Sequence, residues 1–257
     1  MAQLGGQAIY LERQMTHIKT GETLADTTRV LSGYCDFIAA RVFKQSDLTE
    51  MAKVSTVPVI NALSDLEHPT QALADVYTIL QHVRSIKDTK IAFLGNIASN
   101  VINSLMLTSA KLGAEVGLIG PFREAPPNSM YYNKAREYSK VYTDDSLERG
   151  LEDADIVYTD TYVDMGHIQN TANYEKTDQE THAEERKKLF SQFQLNAKAL
   201  SYAADGALVM HCLPAHRGVE ITNDVIDGPR SIVWEQSANK LLLNKALLLY
   251  LSEIESR

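Results

Sequence analysis

The residue types best suited to chemistry in this sequence lie in two short motifs, EHPTQ and MHCLPAHRG. In the first, His68 stands directly before Pro69, a residue that suits the first position of a helix. The backbone N–H groups of residues 69–71 would then face an anion or a carbonyl oxygen, and Gln71 would add a side-chain amide. A capped helix that carries a surface histidine explains the same residues equally well, so both interpretations stay open at this point.

The second motif places Cys212 between His211 and a Leu-Pro turn, directly after the apolar run ALVM. A packed strand end accounts for this pair. His211, Cys212 and His216 also carry atom types that bind zinc, but their spacing is not a usual zinc pattern, and no second pair of ligands stands out in the sequence. The sequence therefore predicts no metal site.

Two further polar clusters follow apolar runs. In GNIASN, Ser99 or Asn100 suits a helix cap, and Gly95 is not followed by the second glycine of a dinucleotide-binding fingerprint. In YTDTYVDMG, the carboxylates of Asp160 and Asp164 suit recognition of an amine. A solvated loop with Asx turns accounts for the same two aspartates, so the amine site is one of two interpretations.

The composition limits the class of protein. The chain has 257 residues, 44% of them hydrophobic, and a formal net charge of −8, which leaves no broad basic surface for a nucleic acid. Its two cysteines lie far apart in apolar runs, as expected in a reducing compartment, so we predict a cytoplasmic protein. The sequence offers no run of about eighteen apolar residues and no signal peptide at its start, so we expect neither membrane insertion nor export. Small molecules or proteins are the expected partners.

These motifs lie between predicted strands and helices that alternate along the chain. Short apolar runs rich in β-branched residues predict strands, segments with helical spacing lie between them, and this alternation predicts an α/β fold with parallel sheets flanked by helices. Ligands then collect at the carboxyl ends of the strands. The predicted strands are 7–11, 35–43, 57–63, 90–96, 115–121, 155–162, 207–214 and 231–236, and the predicted helices are 49–54, 69–83, 100–112, 184–203 and 238–254.

Three parts of the chain are predicted. A polar stretch before the strong strand at Lys90 places a domain boundary near residue 85. Residues 1–84 contain only three predicted strands and two or three helices and look incomplete, whereas residues 85–236 have the full rhythm of a doubly wound domain. The final segment, 237–257, is a helix too apolar to be exposed, and we expect it to pack back on the first domain.

Taken in order, eight segments of the chain resemble those of the ornithine carbamoyltransferases, within the aspartate/ornithine carbamoyltransferase family. They are QLGGQAIYL, GETLADTTRVLS, HPTQALADVYT, SNVINSL, YTDTYVDMG, MHCLPAHRG, DVIDGPRSIV and SANKLLLNKALLLYL. The resemblance spans essentially the whole chain. It implies that the side-chain amine of ornithine attacks carbamoyl phosphate to give citrulline and phosphate, with no cofactor, and that the protein is a homotrimer or a higher homo-oligomer.

The resemblance also implies roles for individual residues. Residues 1–84 would bind carbamoyl phosphate, and residues 85–236 would bind ornithine. Arg41, His68 and Cys212 would be the catalytic residues, with Arg41 and His68 polarising the carbonyl oxygen and Cys212 acting as a positioning residue rather than a nucleophile. The residues implied to bind carbamoyl phosphate are Arg41, His68, Pro69, Thr70, Gln71, Cys212, Leu213 and Lys240, and those implied to bind ornithine are Asn100, Asp160, Asp164 and Met165.

The sequence departs from the family pattern at three points. The usual Ser-Thr-Arg-Thr-Arg turn, which cradles the phosphate, is absent, so we expect the first domain to be truncated at its N-terminus and this chain to have little or no activity. Lys240 stands where the family has arginine, which keeps the charge but loses the bidentate fork. Asp164 stands where ornithine enzymes have serine.

Two alternatives follow from these departures. Asp164 would repel the α-carboxylate of ornithine, which favours another amine acceptor such as putrescine or an acylated ornithine. Loss of the phosphate turn favours a non-catalytic binding or assembly protein that has kept the fold. A dinucleotide oxidoreductase is disfavoured, because no glycine fingerprint follows any predicted strand.

Overall fold

The computed structural model describes residues 1–12, 21–163 and 176–255. Its first part is built on a small parallel sheet of two strands, in which Ile38 pairs with Val59 and Arg41 with Leu63. The third helix of this part starts at Pro69, whose fixed φ favours a first helical position. The elements are α1 (Leu24–Ser32), β1 (Ile38–Arg41), α2 (Gln45–Val54), β2 (Val59–Leu63) and α3 (Pro69–His82).

The second part is a doubly wound domain with a parallel sheet of five strands in the order β5-β4-β3-β6-β7. Its elements are β3 (Lys90–Leu94), α4 (Asn100–Lys111), β4 (Glu115–Ile119), α5 (Ser129–Arg136), β5 (Val141–Asp144), α6 (Leu147–Leu151), β6 (Ile156–Thr159), α7 (Lys176–Phe190), α8 (Ala197–Leu200), β7 (Leu208–His211), α9 (Asn223–Ile226) and α10 (Val233–Glu255). The strand order reverses between β3 and β6. A crevice at the carboxyl ends of these two strands is the usual ligand site of such sheets.

Apolar side chains cover both faces of the five-stranded sheet. Along β3, Ile91 and Phe93 join one buried cluster, whereas Ala92 and Leu94 join the other. This division follows from the two-residue repeat of a strand, which sends alternate side chains to opposite faces. A strand buried on both faces has a continuous apolar sequence, which is why KIAFL was recognisable as a strand.

The last helix packs back on the first part of the chain, as predicted, but it is not covered along its length as expected, since Leu241, Leu249 and Tyr250 are more than half exposed. Asn239 of α10 donates from Nδ2 to Thr78 Oγ1 at 2.9 Å and to Gln81 Oε1 at 2.6 Å. His82 and Glu235 add a contact of 3.0 Å between Nε2 and Oε2. No helix in the described ranges combines the length and the hydropathy needed to cross a bilayer.

Three predicted elements were wrong. Residues 7–11 form no strand, and Ile9 and Tyr10 are 82% and 87% exposed, because no neighbouring strand pairs with them in the described part of the chain. Residues 231–236 contribute only a bridge between Ser231 and Val209 before α10 begins at Val233. The predicted helix 184–203 is interrupted, because Leu195 bridges Ile221 and Asn196 caps a separate short helix by accepting from Ala199 N at 3.0 Å.

Five other elements were not predicted from the sequence. They are α1, α5, α6, α9 and the edge strand β5. Each is nine residues or shorter, and local side-chain caps define α1 and α5. In α1, Thr23 Oγ1 accepts from Asp26 N at 3.1 Å, and in α5, Asn128 Oδ1 accepts from Met130 N at 3.1 Å.

A close approach of two turns makes one glycine difficult to replace. A Cβ atom at Gly120, just after β4, would overlap the carbonyl oxygen of Gly95, just after β3. We expect Gly120→Ala to lower the free energy of unfolding by about 1 to 3 kcal/mol, as overpacking does. Urea denaturation measures this change. Gly33→Ala is the control, because the nearest atom to its Cβ lies at 3.4 Å, and equal losses in both variants would contradict the prediction.

Candidate active site

His68 lies where the loop after β2 enters α3. It is the N-cap residue of the helix, only 8% exposed, and its backbone N–H donates to Ser104 Oγ of α4 at 2.9 Å. Its ring Nδ1 lies 3.4 Å from Thr70 Oγ1. When the Thr70 hydroxyl donates to Nδ1, the ring proton is on Nε2, and this N–H is the donor that the ring can offer to a ligand.

The charge state of His68 is set by its surroundings. Burial lowers its pKa, and the positive charges of Lys240 and Arg41 lower it further, to about 4. The imidazole is therefore neutral at physiological pH. Because Arg41 ends β1 and Lys240 belongs to α10, three separate elements bring a neutral donor and two cations into electrostatic range of each other.

Gln71 belongs to a buried polar network that the sequence analysis missed. Its Nε2 donates to Asp75 Oδ1 at 2.8 Å, Gln236 Nε2 donates to the same oxygen at 2.6 Å, and Tyr158 OH donates to Asp75 Oδ2 at 3.1 Å. Burial raises the pKa of Asp75 to about 6, and the three hydrogen bonds oppose that rise. The spacing of Gln71 and Asp75, four residues apart on one helix, was the signal in the sequence.

Cys212 follows β7 and faces the residue that follows the neighbouring strand β6. Its thiol donates to Asp160 Oδ1 at 2.9 Å, and the same oxygen accepts from Thr161 N at 2.7 Å. Burial and then the negative charge of Asp160 raise the pKa of Cys212 well above its usual value. The thiol therefore stays protonated, and a protonated thiol is a poor nucleophile.

A second buried pair supports the backbone next to Cys212. His211 Nε2 lies 3.2 Å from Glu220 Oε1, and both side chains are fully buried. His211 Nδ1 accepts from the backbone N–H of Leu213 at 2.9 Å, so Nε2 carries the proton. Leu213 has a φ of 56°, an uncommon value for a residue with a side chain. Glu220 also accepts from the backbone N–H of His216.

These contacts bear on the zinc interpretation of MHCLPAHRG. Both ring nitrogens of His211 are engaged by protein atoms, and the Cys212 thiol is turned to Asp160. Among the described residues, no group of three or more His, Cys, Asp or Glu side chains is arranged to hold a metal ion. Glu220 has no distinguishing signal in the sequence, and only the structure shows its role.

Asn100 opens α4 after the turn at the end of β3. Its Nδ2 donates to the carbonyl oxygen of Ser64 at 2.6 Å, and Asn103 Nδ2 donates to that of Leu66 at 3.0 Å. Ser99 is the N-cap, as one of the two predicted alternatives had it, and its Oγ accepts from Ile102 N at 3.4 Å. The N-terminus of α4 thus holds the loop that leads into His68.

The predicted site residues form two groups at neighbouring edges of the sheets. Pro69, Thr70 and Gln71 follow His68 in the first turn of α3, and the charges of Arg41 and Lys240 act on the His68 ring. Cys212, Leu213 and Asp160 lie at the ends of β6 and β7. The Asp75 network joins the two groups, because Gln236 Oε1 accepts from His211 N at 2.9 Å. Asp164 and Met165 lie outside the described residues.

The raised pKa of Cys212 predicts a slow reaction with alkylating reagents. We expect iodoacetamide at pH 8 to leave Cys212 unmodified while it alkylates free glutathione, because only a thiolate reacts. Mass spectrometry of the peptide that contains Cys212 measures the modification. Alkylation of this peptide in urea is the control, and rapid modification of the folded protein would contradict the prediction.

Two domain families match the chain. Residues 1–81 match the carbamoyl-P binding domain of aspartate/ornithine carbamoyltransferase, and residues 87–251 match its Asp/Orn binding domain. Together the two matches span both sheets and most of α10.

Individual relatives agree with the domain matches. The chain is 44% identical over 254 residues to the anabolic ornithine carbamoyltransferase of Pyrococcus furiosus, covering 96% of this chain and 76% of that protein. It is 44% identical over 253 residues to the ornithine carbamoyltransferase of Pyrobaculum aerophilum, covering 97% and 79%.

Solved structures are similar as well. The Pyrococcus furiosus ornithine carbamoyltransferase matches with a TM-score of 0.85 at 42% identity, covering 96% of this chain and 76% of the other. The anabolic ornithine carbamoyltransferase of Campylobacter jejuni matches with a TM-score of 0.86 at 33% identity, covering 98% and 80%.

Proposed function

Because the chain belongs to the aspartate/ornithine carbamoyltransferase family, we propose that it transfers the carbamoyl group of carbamoyl phosphate to the side-chain amine of L-ornithine. The amine nitrogen attacks the carbonyl carbon, a tetrahedral intermediate forms, and the bond between this carbon and the phosphate oxygen breaks. The nitrogen loses a proton, and the products are L-citrulline and phosphate.

The observation that carries this proposal is the neutral, buried His68 with two cations near it. A developing negative charge on the carbonyl oxygen is stabilised by donors that are already in place, and His68 and Arg41 supply them. Lys240 and Arg41 also favour an anionic donor such as carbamoyl phosphate. The first turn of α3, which contains Pro69, Thr70 and Gln71, then binds the atoms of carbamoyl phosphate other than the carbonyl oxygen.

The second group of residues supports the acceptor half of the reaction. Asp160 and Cys212 are in contact at the ends of β6 and β7, close to the crevice where the strand order reverses. Asp160 is a carboxylate suited to orient an amine, and the neutral thiol of Cys212 adds no competing charge. Asn100, beside the same crevice, is the remaining described residue that we assign to ornithine. Rate enhancement then comes mainly from holding two substrates in attack geometry.

A product assay tests this function. The purified protein is incubated with carbamoyl phosphate and L-ornithine, and citrulline and phosphate are measured together. Whatever the rate, each citrulline formed should be matched by one phosphate released. Putrescine, acetylornithine and aspartate serve as alternative acceptors, and a faster reaction with any of them would overturn the assignment of ornithine. Binding of carbamoyl phosphate without turnover of any acceptor would favour the non-catalytic alternative.

The cellular setting is part of the same proposal. We infer a cytoplasmic homotrimer that contributes citrulline to arginine synthesis, with residues 1–84 and 85–236 as its two domains and 237–257 as the returning helix. The domain matches at 1–81 and 87–251 support the division into two domains, and the anabolic relative of Pyrococcus furiosus supports the role in arginine synthesis. The homotrimer and its location rest on the family resemblance alone. Light scattering on the purified protein tests the trimer, and a monomer of 28.6 kDa would contradict it.

A further inference from the structure

We propose that Asp75 is a positioning residue that fixes which end of the Gln71 amide faces the donor substrate. By this means the site selects a donor that carries an N–H group. The inference rests on the proposed function, because it concerns how the same site distinguishes carbamoyl phosphate from related acyl phosphates.

The contact between Gln71 and Asp75 decides the orientation of the amide. An ionised carboxylate only accepts hydrogen bonds, so the atom of Gln71 that lies 2.8 Å from Asp75 Oδ1 must be the NH₂ group. The carbonyl oxygen of the same amide therefore points away from Asp75. Gln71 is only 1% exposed, and its Oε1 has no hydrogen-bond partner among the described residues. A buried acceptor in this state is the complement of an N–H donor on a ligand.

The Asp75 carboxylate cannot easily rotate, because it accepts hydrogen bonds from two further donors. Tyr158 OH donates to its other oxygen at 3.1 Å, and Gln236 Nε2 donates to Oδ1 at 2.6 Å. The amide of Gln236 is itself oriented, because its Oε1 accepts from His211 N at 2.9 Å. A rotation of the Gln71 amide would place its carbonyl oxygen against the carboxylate oxygen of Asp75, where neither atom can donate, and the hydrogen bond between the two side chains would be lost.

The chemical consequence is selection at the group attached to the carbonyl carbon. Carbamoyl phosphate carries NH₂ at this position, and acetyl phosphate, which has nearly the same shape, carries a methyl group. A methyl group leaves Gln71 Oε1 buried and unpaired, whereas NH₂ satisfies it. Sites built to hydrogen-bond a substrate N–H reject analogues that lack it much more strongly than apolar pockets reject a missing methylene.

The experiment compares three phosphate compounds in four proteins. The KM of carbamoyl phosphate and the inhibition constants of acetyl phosphate and inorganic phosphate are measured for the wild type, Asp75→Ala, Asp75→Asn and Tyr158→Phe. For Asp75→Ala we expect the preference for carbamoyl phosphate over acetyl phosphate to fall about tenfold or more, since one hydrogen bond is lost. The inhibition constant of inorganic phosphate, which has no acyl group, should stay within about twofold, and KM should change more than kcat.

Two variants serve as matched controls. Asp75→Asn can keep its carbonyl oxygen facing Gln71 and Gln236 while its NH₂ donates to Tyr158 OH, so we expect it to retain the preference. Tyr158→Phe removes the bond to Oδ2 and the bond that Tyr158 OH accepts from Gln236 Nε2, but Oδ1 still accepts from both Gln71 and Gln236, so we expect this variant to retain the preference as well. Circular dichroism and thermal melting establish that each variant is folded. If Asp75→Ala does not fold, Asp75→Asn still tests the inference, since a loss of preference in that variant would overturn it.

The possible results separate the two proposals. A wild type that neither binds carbamoyl phosphate nor forms citrulline would overturn the proposed function. A wild type that discriminates, together with a folded Asp75→Ala variant that discriminates equally well, would overturn only the role of Asp75. Equal weakening of carbamoyl phosphate and inorganic phosphate would also overturn it, because a general structural defect does not distinguish an acyl group from its absence.

Discussion

Replacing His68 by alanine is expected to lower kcat for citrulline formation by about 10²- to 10³-fold, which is the usual cost of removing one donor to a developing oxyanion. The effect should be large because the ring is buried and held in place, with its backbone N–H on Ser104 and its Nδ1 near Thr70. A donor fixed before the reaction needs no reorganisation in the transition state. Steady-state kinetics with both substrates measure the loss.

His82 provides a matched control on the same helix. It lies at the other end of α3, where Nε2 contacts Glu235 Oε2 at 3.0 Å near the surface. We expect His82→Ala to change stability slightly, as surface pairs do, and to leave kcat within about twofold. A similar fall in kcat for both variants would show that His68 acts only through the stability of α3.

The lowered pKa of His68 gives this residue a defined pH dependence. The folded protein disfavours the imidazolium, so between about pH 4 and 6.5 the unfolded chain binds more protons than the folded one. The stability that this group contributes is therefore present above pH 6.5 and decreases as the pH falls towards 4. Titration of the His68 ring by NMR should show a neutral imidazole at pH 6, and a charged ring at that pH would contradict the assignment.

Replacing Glu220 by alanine is expected to lower the free energy of unfolding by about 1 to 3 kcal/mol, because it leaves a buried N–H donor without an acceptor. This donor is His211 Nε2, 3.2 Å from Glu220 Oε1, and the partly buried backbone N–H of His216 loses the same acceptor. Chemical denaturation measures the change. Activity should fall as well, since His211 supports the backbone of Leu213 next to Cys212.

His216 again offers a matched comparison. Its ring Nδ1 lies 3.7 Å from Glu220 Oε2, but its side chain is 57% exposed, whereas that of His211 is fully buried. His216→Ala keeps the backbone N–H that Glu220 accepts, so we expect it to cost less than about 1 kcal/mol. If the two substitutions cost the same, the stabilisation would lie in the loop 214–219 and not in the buried pair.

Much of the fold could be predicted because its strands are buried on both faces and are therefore uniformly apolar. β3, β4, β6 and β7 were all identified in this way. QAIYL has the same composition but forms no strand, because a strand also needs a neighbour to pair with, and composition does not contain that information. SIVWEQ was also predicted as a strand from its apolar residues. Val233 is buried, as a strand residue would be, but its backbone is helical, so burial alone does not decide between strand and helix.

The site could be predicted only in part for a similar reason. His68 and Cys212 lie in compact motifs, so local sequence and family resemblance identified them together. The hydrogen bonds of Gln236 join residues far apart in sequence, with separations of 161 to Asp75 and 78 to Tyr158. Glu220 lies in a loop whose sequence does not distinguish it. Apart from the four-residue spacing of Gln71 and Asp75, these hydrogen bonds leave no periodic signal in the sequence, and the folded chain is needed to show them.

The return of α10 to α3 has a consequence for how the protein matures on the ribosome. Asn239 contacts Thr78 across a separation of 161 residues, so this contact can form only after all the residues between them have been translated. Until then α3, which begins directly after His68, lacks the helix that packs against it while the five-stranded sheet is synthesised. Contacts of such high sequence separation form late and slowly. The synthesis of α10 therefore completes the surroundings of α3 and His68, and a nascent chain that stalls before residue 239 should bind chaperones.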